Sequence, residues 1–168
     1  MTYTGPYTYD LTLESLKDDR LIATRIFEGA ECRTFKKPVT NDKTPKIYVL
    51  QADGKTLYIG YTSQSISTRL RDGLKKAGTF KDYKGYKWKD SKSVKLSVFV
   101  FNHKLIGKRC DEDIPFIDLA EAVEAELVYL VRQKTGRWPE FQNEIHFNNE
   151  ERERAKEITE DFYNKIMK

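Results

Sequence analysis

The sequence predicts an α+β domain: a small central antiparallel three-stranded sheet flanked by helices, with an N-terminal extension and a C-terminal helix. Three observations lead there. Residues 46–51 (KIYVLQ) and 55–61 (KTLYIGY) are short runs rich in aromatic and β-branched side chains, separated only by Ala52, Asp53 and Gly54, which is hairpin spacing. Residues 94–101 (VKLSVFVF) form a third run of the same kind. Apolar residues then recur at helical spacing in three further stretches.

In chain order, residues 1–45 form the extension. They are mixed and polar, with a short helix expected from Leu13 to Asp18 and two extended runs in 21–36 around a Glu28-Gly29-Ala30 turn. Pro38 to Pro45 reads as a polar linker. In the hairpin, a three-residue loop with Gly54 left-handed pairs Gln51 with Lys55 and Tyr48 with Tyr58. Both tyrosines then share one face, with Ile47, Val49, Leu57 and Ile59 on the other. A two-residue Asp53-Gly54 loop puts the tyrosines on opposite faces, because a one-residue slip inverts the pattern.

Ser63 or Ser65 caps a helix running to about Ala77 and ended by Gly78, with Ile66, Leu70, Leu74 and Ala77 as its stripe and Arg69 on the stripe's edge. Residues 79–92 read as a loop or insertion. A second helix is expected from Phe116 to Lys134, and a charged third one from Glu150 to Met167 along Ile158, Phe162 and Ile166. Residues 46–143 form the main domain, and the C-terminal segment 144–168 is expected to pack on it.

Composition narrows the function classes. The mean hydropathy is −0.69 and no apolar run is long enough to span a bilayer, so no membrane partner is expected. The first ten residues carry neither a basic nor an apolar signal region, and two cysteines make no disulfide framework, so an intracellular, cytoplasmic setting is expected. The net charge of +4 hides a strong asymmetry. Residues 1–45 are neutral. Residues 46–110 hold 15 basic and 4 acidic side chains, and residues 111–168 hold 8 and 15. A basic stretch of that density points to a polyanion, and nucleic acid is the commonest one.

Within the basic stretch, Ile47-Tyr48-Val49 is followed by Tyr58-Ile59-Gly60. Arg69 lies on the next helix, Glu126 on the later helix, and Asn143 in the loop beyond. This ordered set resembles the GIY-YIG nucleases, over residues 46–143. The resemblance implies a divalent-metal-dependent DNA endonuclease that hydrolyses phosphodiester bonds. It implies Mg²⁺ (or Mn²⁺) on Glu126, Tyr48 as general base or water-positioner supported by Tyr58, Arg69 on the phosphate, and Asn143 orienting the carboxylate or a tyrosine. One site served by both tyrosines needs them on one face, which selects the three-residue loop with Gly54 left-handed.

The chemistry asks for these residue types. A hard divalent cation takes carboxylate and water oxygens and often only one or two protein ligands. A guanidinium offers a planar fork to phosphate oxygens. A phenol titrates near 10, so at neutral pH it relays hydrogen bonds unless a cation activates it. Helical periodicity leaves Glu124 and Glu126 equivalent, each about 80° from the centre of the apolar stripe. The family's spacing favours Glu126, since Tyr129 and Leu130 follow it.

Lys46 stands where the family has its leading glycine, one extra residue before Arg69 makes Arg71 a competing phosphate ligand, and Gly73 stands where relatives place a polar helper. Arg71, Lys75, Lys76, Lys84, Lys87 and Trp88 are the candidate nucleic-acid contacts, with lysines on phosphates and the indole either stacking on unpaired bases or, equally, anchoring the insertion to the core together with Tyr86. The expected substrate is DNA, including branched or single-stranded regions, cut by a monomer or weak homodimer. The alternative is a catalytically silent nucleic-acid-binding module on the same scaffold.

Overall fold

Asp53 and Gly54 both adopt left-handed backbone, with φ of 49° and 71°, as a two-residue hairpin turn of the primed type requires. They join β4 (Lys46–Ala52) to β5 (Lys55–Thr62). The expected three-residue loop is therefore corrected: Ala52 pairs with Lys55 and Gln51 with Thr56. Such a turn alone sends Tyr48 and Tyr58 to opposite faces. Leu57 prevents this. It is the extra residue of a β-bulge, beyond which Leu50 pairs with Tyr58 and Tyr48 with Gly60. The one-residue slip of the turn is cancelled by the one-residue bulge, and both tyrosines stay on one face. Leu57 itself packs with that face, in the cluster of Tyr48 and Leu50, not with Ile47, Val49 and Ile59 as expected.

The computed structural model describes residues 2–16, 19–74, 88, 91–107, 110–142, 145 and 151–167. It is α+β, with one antiparallel sheet and helices on it. The sheet has six strands in the order β3-β2-β1-β6-β4-β5, not three. The additional strands come from the N-terminal residues: β1 (Tyr3–Leu16), β2 (Asp19–Phe27) and the two-residue β3 (Ala30–Glu31). β6 (Ser93–Phe101) lies between β1 and β4. The helix expected from Leu13 is strand up to Leu16. Tyr9, Leu11 and Leu13 are buried while Asp10, Thr12 and Glu14 are exposed, which is the period of two that a half-buried strand requires.

Two cores result. The tyrosine face is covered by α1 (Ile66–Leu74), by Phe35 and Val39, and by Trp88. Ile66, Leu70 and Leu74 anchor α1 there, each contributing about 1.5–3 kcal/mol by burial. The opposite face carries α2 (Ile114–Thr135) and α3 (Arg152–Ile166). Phe162 of α3 lies flat on Phe99 of β6, centroids 3.7 Å apart. No helix among the described residues is long and apolar enough to cross a membrane.

The segment expected as a polar linker is part of the core. Val39 is fully buried, and its carbonyl accepts the Ile66 N–H at 3.1 Å. The Asp42 carboxylate accepts the Ser65 N–H at 2.8 Å, just before α1. Lys46 completes the junction. Its ammonium is buried and donates to the carbonyls of Asn41, Thr44 and Gln64 at 2.6, 2.6 and 3.0 Å, so each of its three protons has an acceptor. Burial lowers its pKa to about 8, against the opposing pull of Asp42.

Candidate active site beside Gly60

Gly60 explains how two tyrosines share so little space. A Cβ on it would lie 2.6 Å from both Cζ and the hydroxyl oxygen of Tyr48, and 2.7 Å from Cε1 of Tyr58. The bare backbone lets both rings close over it, centroids 5.9 Å apart and planes 38° apart. Tyr48 is fully buried, whereas Tyr58 keeps part of its surface in solvent. From α1, Arg69 donates through Nε to the Tyr48 hydroxyl at 3.3 Å. Its neighbour Leu70 is buried against the sheet, which fixes Arg69 along the edge of the helix's apolar stripe.

β5 is the sheet edge, and its outward groups find partners elsewhere. Thr56 and Leu57 carbonyls accept the N–H groups of Glu140 and Phe141 at 3.1 and 2.8 Å. The Ile59 N–H donates to Gln142 Oε1 at 3.2 Å. The Tyr61 N–H donates to the carboxylate of Glu124 on α2. Burial pushes the Glu124 carboxyl up to about 7. The Tyr61 hydrogen bond counters this, Glu121 one helical turn away adds to it, and the Arg69 guanidinium pulls it back down. The same surroundings act on Tyr61, whose hydroxyl is pushed up to about 12 by burial and by the Glu121 charge, with smaller effects from Glu124 and Asp113 against a hydrogen bond to Ser63.

Tyr48 and Tyr58 thus close over Gly60, Arg69 donates to Tyr48, and Glu124, held by the Tyr61 N–H, lies within electrostatic reach of Arg69. Glu126 is not in this group. It lies about 200° around α2 from Glu124 at 100° per residue, and its Oε1 accepts from Arg152 Nε of α3 at 2.9 Å. Arg71 is exposed, 3.6 Å from Asp72 across an ion pair. Of the two readings of Trp88, the structure shows the core anchor and not the stacking contact: it is buried in the tyrosine-face cluster with Leu70 and Leu74. Asn143, Lys75, Lys76, Lys84 and Lys87 lie outside the described residues.

Sequence reasoning missed the part played by Glu121, Tyr61 and Gln142. The signal for the first was present as spacing: Glu121 and Glu124 are three apart and share a helix flank. Among the described residues no group of three or more His, Cys, Asp or Glu side chains comes together. The carboxylates at the site that could meet a hard cation are those of Glu124 and Glu121 on α2. Compared with known proteins, the chain matches no family model, no curated protein and no solved structure.

Proposed function

We propose that the chain is a divalent-metal-dependent DNA endonuclease of the GIY-YIG type that its motifs resemble, with β4, β5, β6, α1 and α2 as the nuclease scaffold and β1–β3 as an addition to the sheet. The observation that carries the reading is that the Tyr58 and Tyr48 rings meet over Gly60 and Arg69 donates to Tyr48, with Glu124 at the same sheet edge on the Tyr61 N–H and within reach of the Arg69 charge.

In this reading Glu124, not Glu126, is the metal carboxylate, with Glu121 beside it. Mg²⁺ or Mn²⁺ bound there supplies charge stabilisation for the phosphate and the leaving oxygen. Glu124 takes its orientation from the Tyr61 N–H and from Arg69. Arg69 is the guanidinium that meets a non-bridging phosphate oxygen. Tyr58 is the phenol with surface in solvent, so it positions the attacking water. Tyr48 has none, so it acts behind Tyr58 as the group that holds Arg69. DNA is the partner, and a cytoplasmic site of action accords with it.

The competing reading, a silent nucleic-acid-binding module, draws on the full burial of Tyr48. A supercoiled-plasmid assay in Mg²⁺, Mn²⁺ and EDTA separates the two. Metal-dependent nicking by the wild type that Glu124→Gln abolishes supports the nuclease. Salt-sensitive binding with no cleavage in either metal favours the silent module.

A further inference from the structure

Of the two tryptophans, the one at the surface is Trp138, 48 % exposed and the only aromatic among the large exposed apolar side chains of the described residues. It is not a loose side chain. α2 ends at Gly136, whose left-handed backbone (φ 75°) sends its N–H to the Arg132 carbonyl at 3.0 Å. The Arg132 guanidinium donates to the Gly136 carbonyl, and the Thr135 hydroxyl accepts the Arg137 N–H at 3.2 Å. Tyr129 meets the indole edge-on, centroids 5.4 Å apart, and the Arg132 guanidinium carbon stands 5.9 Å from the indole ring. Beyond Trp138 the chain pairs directly with β5 through Glu140 and Phe141. An exposed indole is therefore held at the hydrogen-bonded turn that ends α2, beside Arg132 and next in sequence to Arg137.

We propose that Trp138 is a stacking platform for an unpaired DNA base, with Arg132 and Arg137 on the adjoining phosphates. The proposal deepens the nuclease reading and rests on its DNA substrate. A fixed aromatic face takes a base of any sequence but only one whose own face is uncovered, and flanking cations favour a polyanion over an apolar partner. Position supports it. At 100° per residue, Glu121, Glu124 and Arg132 fall within about 80° of one another around α2. Arg132 lies about 12 Å along the axis from Glu124, or three to four steps of duplex at roughly 3.4 Å each. The favoured substrate is then DNA with a single-stranded stretch a few nucleotides from the bond that is cut.

The test measures binding in EDTA, so it reads out whether or not the protein cleaves. Wild type, Trp138→Ala and Trp138→Phe are titrated with a blunt duplex and with the same duplex bearing a 3′ or 5′ single-stranded overhang. Fluorescence of the buried Trp88 reports that each variant is folded. The expected result is tighter binding of an overhang duplex than of the blunt one by wild type. Trp138→Ala then lowers overhang affinity about tenfold or more, leaves the blunt duplex within twofold, and Trp138→Phe falls between. Equal affinity of wild type for blunt and overhang duplexes, unchanged overhang binding by Trp138→Ala, or equal loss on both DNAs overturns the proposal. Absence of cleavage alongside the expected binding pattern would count against the nuclease reading alone.

Discussion

Glu124 and Glu126 are two residues apart on one helix, equally placed beside its apolar stripe, yet they live in different chemistry. Glu124 looks to the sheet edge, where a backbone N–H, a guanidinium and a second carboxylate surround it and burial holds it near neutrality. Glu126 looks to α3 and is joined to Arg152, an exposed arginine. The difference teaches that a helix fixes only the direction in which a carboxylate points. What it does there depends on the element it meets. An edge strand offers unused backbone donors, whereas a neighbouring surface helix offers a counter-charge that already satisfies it.

The sharpest way to break this contrast is cleavage. Glu124→Gln is expected to lower the plasmid-nicking rate roughly 10²-fold or more, since the metal's charge stabilisation is lost. Glu126→Gln is expected to stay within about threefold. The opposite ranking would return the metal to Glu126. Next in size is Gly60→Ala, which drives a methyl into both tyrosine rings. Urea unfolding should show a loss of about 2–3 kcal/mol, and a neutral result would mean the rings yield freely.

The two carboxylates should also differ in pH dependence. The folded-state pKa of Glu124, about 7, lies above its ordinary 4.5, so the folded protein holds that proton more tightly. Its stabilising contribution is complete below about pH 4.5 and is lost as pH rises through 7. Without metal, Glu124→Gln should therefore gain on wild type between pH 5 and pH 8, by something of the order of 2 kcal/mol. Mg²⁺ should offset part of that difference at pH 8, because ligation uses the ionised form. The smallest effect belongs to the other flank. Arg152→Ala removes a pair at the surface and should change stability by less than about 1 kcal/mol.

Much of the scaffold was legible from periodicity. The runs at 46–51, 55–61 and 94–101 are strands, and the stripes through Ile66, Val123 and Phe162 are helices. Of the N-terminal strands, the two extended runs around Glu28-Gly29-Ala30 were legible and correspond to β2 and β3, whereas β1 was not. The alternation of Tyr9, Leu11 and Leu13 is short and follows an irregularity between Thr4 and Tyr7, and one of the two partners of β1 is β6, about ninety residues away along the chain. At the site, Tyr48, Tyr58 and Arg69 came from motif order. The choice between Glu124 and Glu126 could not, because the two are symmetric about their own helix and only β5 and α3 distinguish them. Trp88 was left open between stacking and core anchoring for a related reason. Lysines interleaved with aromatics look alike whether the ring faces solvent or core.

The bulge at Leu57 has a consequence for how such sites can vary. Turn and bulge together act as a parity check on the hairpin: a two-residue turn with the bulge and a three-residue turn without it both leave Tyr48 and Tyr58 on the same side. Lengthening the turn by one residue while deleting Leu57 should then preserve the site, whereas either change alone would turn one phenol through the sheet. Loop length in a related chain therefore says little by itself about whether the tyrosines meet. The number that matters is the count of residues from one tyrosine to the other, read together with any bulge that lies between them.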